Sequence, residues 1–125
     1  MFQTLPLVAL GGALGASARY LVNVAVVRLI GHGFPWATIA VNIFGSLLMG
    51  ALVVTFAHRD LMRFAPFLMT GILGGFTTFS AFSLDTITLW QRGETLTAVA
   101  YVALSVIWSL LALVAGMALA RSVFA

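Results

Sequence analysis

The stretch that decides the fold is Gly71-Ile72-Leu73-Gly74-Gly75-Phe76-Thr77-Thr78-Phe79-Ser80, in the middle of the third of four long apolar segments. Adjacent glycines and two β-branched threonines both weaken an α-helix. Lipid cannot satisfy backbone groups that a break frees, so a break is tolerated only where protein buries it or where it lines a wet cavity. We therefore predict a third membrane helix that is broken mid-membrane, with freed carbonyl oxygens on one side and a new helix N-terminus on the other. A closely packed, straight helix is the alternative.

The composition excludes a water-soluble protein. Of the 125 residues, 62% are hydrophobic and 7% are charged, whereas soluble domains average about 45–50% apolar and about 25% charged residues. The absence of cysteine rules out disulfides and thiolate chemistry. Each apolar segment is long enough to cross a bilayer. We predict an all-α integral membrane protein with one four-helix domain over 1–125 and spans at about 5–27, 36–56, 64–90 and 96–119.

The positive charges are scattered, and all six are arginines. Nucleic-acid binding usually needs a concentrated basic face, so we expect no nucleic-acid partner. Four crossings place Arg59, Arg63 and Arg121 on one side of the membrane and Arg28 and Arg92 on the other, which is almost no positive-inside bias. Such a chain can insert both ways and pair with its own inverted copy as an antiparallel, dual-topology homodimer. Alternatively, one orientation wins through features that a charge count does not measure.

Three polar residues lie inside the spans, where an isolated charge costs about 3 kcal/mol and marks a functional candidate. They are Arg19, Asn42 and Asp85. We predict that Arg19 and Asp85 pair and anchor a vestibule, with a proton-carrier role for Asp85 as the alternative. The Asn42 amide either forms a structural bond between helices or donates to an anion.

Small residues and aromatic residues recur at helical spacing. The pairs Gly11/Gly15 and Gly71/Gly75 form GxxxG patterns, which, with Gly45 and Gly50, predict close helix contact. After the predicted break, Phe76, Phe79 and Phe82 form a stripe beside a stripe of hydroxyls. Ordinary packing explains such a stripe, but a phenyl ring also has a positive edge that can face a small anion. The hydroxyls that could extend a polar line are Ser80, Ser105 and Ser109.

Together these residues resemble one family, the Fluc/CrcB fluoride channels. The likeness rests on 11–20 (GGALGASARY), 41–46 (VNIFGS) with Gly50, and 70–83, which contains the Gly-Gly-Phe-Thr-Thr-Phe-Ser run. It covers all four spans in order. The resemblance implies a dual-topology homodimer that passes fluoride passively out of a bacterial cell, across the inner (plasma) membrane, and so protects against fluoride toxicity.

The resemblance also implies roles for individual residues. Phe79 and Phe82 correspond to rings whose edges contact fluoride, and Asn42 to the amide donor beside them. The backbone carbonyls of Gly74 and Thr77, from both inverted subunits, would hold a structural Na+. Further residues look like members of a polar track (Ser80, Ser105, Ser109) and of the vestibule (Arg19, Asp85).

The sequence departs from the family pattern at three positions. Ala37 stands where glycine is common, Ala81 where threonine is common, and Asp85 where glutamate is common. The shorter Asp85 side chain weakens the expectation for its vestibule role.

Two rival functions come from other classes. A proton-coupled small multidrug exporter has a similar length, but it relies on a carboxylate in its first span, where this chain carries Arg19. A non-transporting assembly protein would need only packed spans and leaves the predicted break unexplained. His32 and His58 lie in loops and no base–nucleophile pair can be placed, so we expect no enzyme activity.

Overall fold

The computed structural model describes residues 2–125, and its regular elements in that range are all helical. Helix α1 is Leu5–Ile30 and α2 is Trp36–Arg59. A 3-10 turn at Met62–Phe64 leads into a π-helix at Pro66–Leu73. The remaining helices are α3 (Gly74–Phe76), α4 (Phe79–Gln91) and α5 (Thr95–Phe124).

Four helical segments of the described chain are long and apolar enough to cross a membrane, as predicted. They are Leu5–Ile30, Trp36–Arg59, Met62–Gln91 and Thr95–Phe124, and each has the roughly 20 residues that a bilayer core requires. Large apolar side chains such as Leu29 (84% exposed) and Leu96 (83% exposed) lie on the outside of the chain. This distribution suits a molecule whose surroundings are lipid.

The third span is broken, as predicted, but at the threonines and not at the glycines. Thr77 (φ −87°, ψ 161°) and Thr78 (φ −153°, ψ 126°) are both extended, whereas Gly74 keeps helical angles (φ −62°, ψ −37°). The Thr78 hydroxyl then accepts the Ala81 N–H at 3.1 Å and caps the start of α4. Two β-branched residues in succession therefore end one helix and begin the next.

The glycines of the third span allow close contact with α1. Gly71 packs against Gly11, where a Cβ atom on Gly71 would lie 2.9 Å from the Gly11 Cα. A Cβ on Gly75 would lie 2.7 Å from the Gly12 carbonyl oxygen, and one on Gly15 would overlap the carbonyl of Ile72. The two GxxxG patterns thus face each other, which confirms the predicted close packing.

Small residues also bring α2 and α5 together. Gly50 lies against the Leu113 carbonyl, and Gly116 lies against the Leu47 carbonyl. The buried cluster of the chain lies at one end of these helices and holds residues from α2, α4 and α5: Ile39, Leu89, Ala98 and Tyr101. This packing fixes α2, α4 and α5 around the break.

Candidate functional site

An open groove of about 380 Å³ lies where α2, α4 and α5 meet the break, and we call it the break groove. Its walls carry amide and hydroxyl groups among apolar side chains. It is lined by Asn42, Gly45, Ser46, Met49, Thr77, Thr78, Phe79, Phe82, Ser105, Val106, Ser109, Leu110 and Leu113.

Asn42 of α2 ties the extended backbone of the break in place. Its Nδ2 donates to the Thr78 carbonyl at 3.0 Å, and its Oδ1 accepts the Thr78 N–H at 2.8 Å. These two hydrogen bonds pair the backbone N–H and the carbonyl of Thr78, whose extended conformation lies outside the regular helix. Because Nδ2 carries two hydrogens, one donor of the amide is left for another acceptor in the groove.

Two phenyl rings of α4 border the groove. Phe79 is 79% exposed, and Phe82 is half-buried beside it with a centroid distance of 5.5 Å. The Phe82 ring also packs against Tyr101, with centroids 5.4 Å apart. Phe82 is therefore held from behind, whereas Phe79 has much of its ring uncovered.

Two buried hydroxyls of α5, Ser105 and Ser109, line the groove and have no hydrogen-bond partner in the described part of the chain. Hydroxyls in membrane helices often bond back to their own backbone, and here Ser83 does so to the Phe79 carbonyl at 3.0 Å and Thr86 to the Phe82 carbonyl at 2.8 Å. An unpaired buried hydroxyl costs free energy. The Ser105 and Ser109 hydroxyls can therefore donate hydrogen bonds to a ligand in the groove.

Ser80 has a different environment from the α5 serines. Its side chain is exposed, and its Oγ lies 3.3 Å from the Thr78 Oγ1. It is not among the residues that line the break groove. The structure therefore brings together Asn42, Phe79, Phe82, Ser105 and Ser109 and leaves Ser80 beside them.

Two carbonyl oxygens at the break lose their usual helical donors. The Thr78 N–H, which would bond to the Gly74 carbonyl in a continuous helix, goes to Asn42. The Ala81 N–H, which would bond to the Thr77 carbonyl, goes to the Thr78 hydroxyl. Both carbonyls are thereby left to bind another partner, and backbone carbonyls suit hard cations.

The predicted Arg19–Asp85 pair is wrong. The Arg19 Nε donates to the Gly75 carbonyl at 3.0 Å, while the Asp85 Oδ2 accepts from the Thr38 hydroxyl at 2.7 Å and from the Tyr101 hydroxyl at 2.9 Å. The break explains the difference, because the N–H that would bond to Gly75 in a continuous helix belongs to Phe79, beyond the break. Arg19 stabilises this freed carbonyl instead.

Arg19 and Asp85 line separate small pockets. Arg19 lies with Asn23 and Thr78 in one of them. Asp85 lies in another, of about 150 Å³, beside the loop between α1 and α2. Both pockets include Asn23 and Thr38, so the two residues flank one region without touching.

Two polar residues next to this region, Thr38 and Tyr101, were not predicted from the sequence. Tyr101 is fully buried, and Thr38 is 8% exposed. Their spacing held the signal: Thr38 precedes Asn42 by four residues and Tyr101 precedes Ser105 by four, so each extends a polar helix face already noted. The Tyr101–Asp85 hydrogen bond thus joins α4 to α5, and Ser105 and Ser109 follow Tyr101 at four-residue spacing on the same face of α5.

The fold and this groove define a multi-pass membrane protein with a discontinuous helix and unpaired polar groups inside the bilayer region. Residues 6–117 match the family model described as CrcB-like protein, Camphor Resistance (CrcB). The chain belongs to this CrcB family.

Relatives of the chain share its full length. It is 63% identical over 121 residues to the fluoride-specific ion channel FluC of Cereibacter sphaeroides, with 97% of each chain covered. It is 57% identical over 125 residues to the protein of that name from Paracoccus denitrificans, with 100% of each covered. The protein of that name from Mesorhizobium japonicum is 50% identical over 123 residues, with 98% of each covered.

Proposed function

We propose that this chain is a passive, fluoride-selective ion channel and not an enzyme. The observation that carries the proposal is the break groove, where the exposed Phe79 ring, the Phe82 ring and two unpaired hydroxyls lie together beside a broken helix. Full-length relatives that carry the name of a fluoride-specific ion channel support the same function.

The groove offers the chemistry that a small, strongly hydrated anion needs. Fluoride must exchange its water for donors of comparable strength. The positive edges of Phe79 and Phe82 and the spare N–H of Asn42 supply them on one side. The hydroxyls of Ser105 and Ser109 supply them on the other, and Ser80 would extend the path outward.

The carbonyl oxygens of Gly74 and Thr77 are proposed as ligands of a structural Na+. Their freedom from helical donors supports this role, because a hard cation takes oxygen ligands. Such an ion would supply positive charge that offsets the partial negative charge of these carbonyl oxygens. Asn42 and the Thr78 hydroxyl contribute by drawing the competing N–H groups away.

An antiparallel homodimer completes the proposal. The break groove is open on one side, and Phe79 is far more exposed than a pore residue needs to be. A second, inverted copy would close the groove and, by symmetry, form a second pore. The weak charge bias between the two loop faces allows the two orientations that this assembly requires.

The direction of transport and the location of the protein follow from this function. A channel moves its ion down the gradient, so it exports fluoride when fluoride has accumulated inside the cell. We place the channel in the inner (plasma) membrane of a bacterial cell, where it protects against fluoride toxicity. Arg19 and Asp85 are assigned to the vestibule, as separate groups and not as a pair.

The alternative of a proton-coupled multidrug exporter gains no support from the contacts of the membrane carboxylate. Such an exporter relies on a carboxylate in its first span, where this chain carries Arg19. Asp85 lies in α4 instead and accepts hydrogen bonds from Thr38 and Tyr101. Transport by this chain should therefore proceed without a pH gradient.

The test is efflux of fluoride from liposomes that contain the purified chain. We expect fast release of fluoride down its gradient with no pH gradient applied, and no release of chloride from matched liposomes. Equal release of both halides would contradict a selective channel. Release that requires a pH gradient would favour the exporter.

A further inference from the structure

A chain of aromatic contacts runs from the α1–α2 loop to the break groove. The Phe34 ring lies 4.6 Å from the Trp36 ring and 5.5 Å from the Tyr101 ring, with an edge-on contact in the second case. Tyr101 lies 5.4 Å from Phe82, which lies 5.5 Å from Phe79. All four separations fall in the range of favourable aromatic pairs. A loop residue at the membrane edge is thus linked to both rings of the groove.

A rigid turn sets the position of Phe34. Pro35 has φ −80° and ψ 66°, which are the angles of an inverse γ-turn, and the Trp36 N–H donates to the Phe34 carbonyl at 2.8 Å. The proline ring restricts φ, so this turn has little freedom. The Arg92 Nη1 also donates to the Gly33 carbonyl, at 3.4 Å, and links the loop to the end of α4. Phe34 is therefore held in place by its own backbone.

Tyr101 connects the loop to the groove and has no room to move independently. It has 0% exposure, its hydroxyl donates to Asp85 at 2.9 Å, and rings contact it on two sides. Buried side chains in close-packed surroundings transmit displacements because voids are costly. Replacing the Phe34 ring is therefore expected to change the position of the Phe82 ring.

We infer that Phe34 is a positioning residue for the ion path, acting through Tyr101 on the orientation of the Phe82 ring. The inference rests on the proposed function insofar as Phe82 presents its ring edge to the ion. It adds a determinant that lies outside the groove, in a loop. A ring edge misdirected by a small rotation loses much of its favourable contact with an anion, since the ring face is negative.

The first test measures the ion flux through each channel separately from the fraction of chains that fold. The full chain is reconstituted at less than one channel per liposome, so that the fraction of vesicles that empty counts folded channels and the emptying rate reports the flux through each. We expect Phe34→Leu to slow the fluoride emptying rate about fivefold or more, the loss that one aromatic contact implies, with the emptied fraction unchanged. Phe34→Tyr keeps the ring and should restore the rate.

The matched control is Phe64→Leu, which changes a phenylalanine at the start of the third span. Its ring contacts the Arg63 guanidinium at 4.7 Å and takes no part in the aromatic chain. We expect its emptying rate to equal that of the unaltered chain. The inference would be overturned if Phe34→Leu lowered only the emptied fraction, or if Phe34→Tyr were as slow as Phe34→Leu.

The second test does not depend on transport. Melting temperatures in detergent are compared for Phe34→Leu, Phe82→Leu and the double variant. Because both rings pack on Tyr101, we expect the double variant to lose less than the sum of the two single losses. Phe64→Leu combined with Phe82→Leu should be additive.

Additive losses in the first pair would overturn the inference even if fluoride flux were confirmed. Conversely, an unaltered chain that releases no fluoride would refute the proposed function, while non-additivity would still support the coupling between Phe34 and Phe82. The two failures are therefore distinguishable.

Discussion

At the scale of single residues, Asn42 holds the break in place and is also the proposed amide donor to the ion. Its amide completes both hydrogen bonds of Thr78, a residue whose extended backbone no helix supports. That exchange also frees the Gly74 carbonyl, because the Thr78 N–H no longer points along the helix axis. One side chain thus stabilises the break and leaves an oxygen available for a cation.

We expect Asn42→Ala to lower the free energy of unfolding by about 2–4 kcal/mol, because two backbone groups lose their partner inside the membrane. Denaturant unfolding in detergent measures this loss. The control is Asn23→Ala, an amide on α1 for which the described chain shows no hydrogen bond. Equal stability of the two variants would contradict the role of the Asn42 bonds in stabilising the break.

The two rings of the groove allow a direct test of the ion path. We expect Phe79→Ile and Phe82→Ile each to abolish fluoride efflux, since an aliphatic side chain has no positive edge to offer an anion. Size-exclusion chromatography should show the same elution volume as for the unaltered chain, because neither change is expected to disrupt the proposed dimer. Phe64→Ile, outside the groove, should keep full flux, and unchanged flux in both groove variants would refute the ring-edge proposal.

Sequence reasoning found the groove residues but not their partners. Asn42 pointed to a site because polar groups are rare at mid-membrane. Phe79 and Phe82 were noted because they recur at helical spacing after the predicted break, and the family resemblance implied their place beside the ion. The error concerned Arg19 and Asp85, since depth along a helix says nothing about rotation around it. The partner that Arg19 found, the Gly75 carbonyl, became available only because the backbone departed from helical geometry.

At the scale of helices, the third span combines two functions in separate short stretches. Gly71 and Gly75 lie in helical backbone and face α1, whereas the threonines carry the break. The sequence predicted a break between Gly71 and Ser80, because the adjacent glycines and the two threonines in this run all disfavour an α-helix. It could not predict the exact site, which depends on Asn42 as an external partner. The π-helix at Pro66–Leu73 had no recognised sequence signal.

The contact between α1 and the third span predicts different effects of alanine at two glycines of α1, Gly12 and Gly15. Gly15→Ala places a methyl group against the Ile72 carbonyl, so we expect a loss of about 3 kcal/mol or more in unfolding free energy, since the backbone cannot yield as a side chain can. Gly12→Ala has open space around its Cβ, and its better helix propensity should keep stability within about 1 kcal/mol.

Melting temperature and yield of folded protein measure this contrast. Both variants change glycine to alanine in the same helix, so any difference reflects the close contact alone. If both melted alike, α1 and the third span would not be packed as closely as the Gly11/Gly71 contact implies.

At the scale of the whole molecule, the groove is open on one side and the charge bias between loop faces is weak. Hydropathy and charge counts predict both the four spans and the freedom to insert either way, because these are sums over the chain. They cannot show which surface of one copy meets another. The proposed dimer would cover the groove and the exposed Phe79 ring at its border.

The last prediction concerns orientation. His58→Arg with Met62→Arg gives one loop face five arginines against two on the other. Leu29→Arg with Gln91→Arg, combined with Arg59→Gln and Arg63→Gln, gives the opposite face four against one, with every change at an exposed position. By the positive-inside rule the two variants should each insert in a single orientation, opposite to one another. We expect either one alone to give no fluoride efflux in cells, because an antiparallel dimer cannot form, and their co-expression to restore it. Full efflux from one biased chain alone would show that the working assembly needs only one orientation.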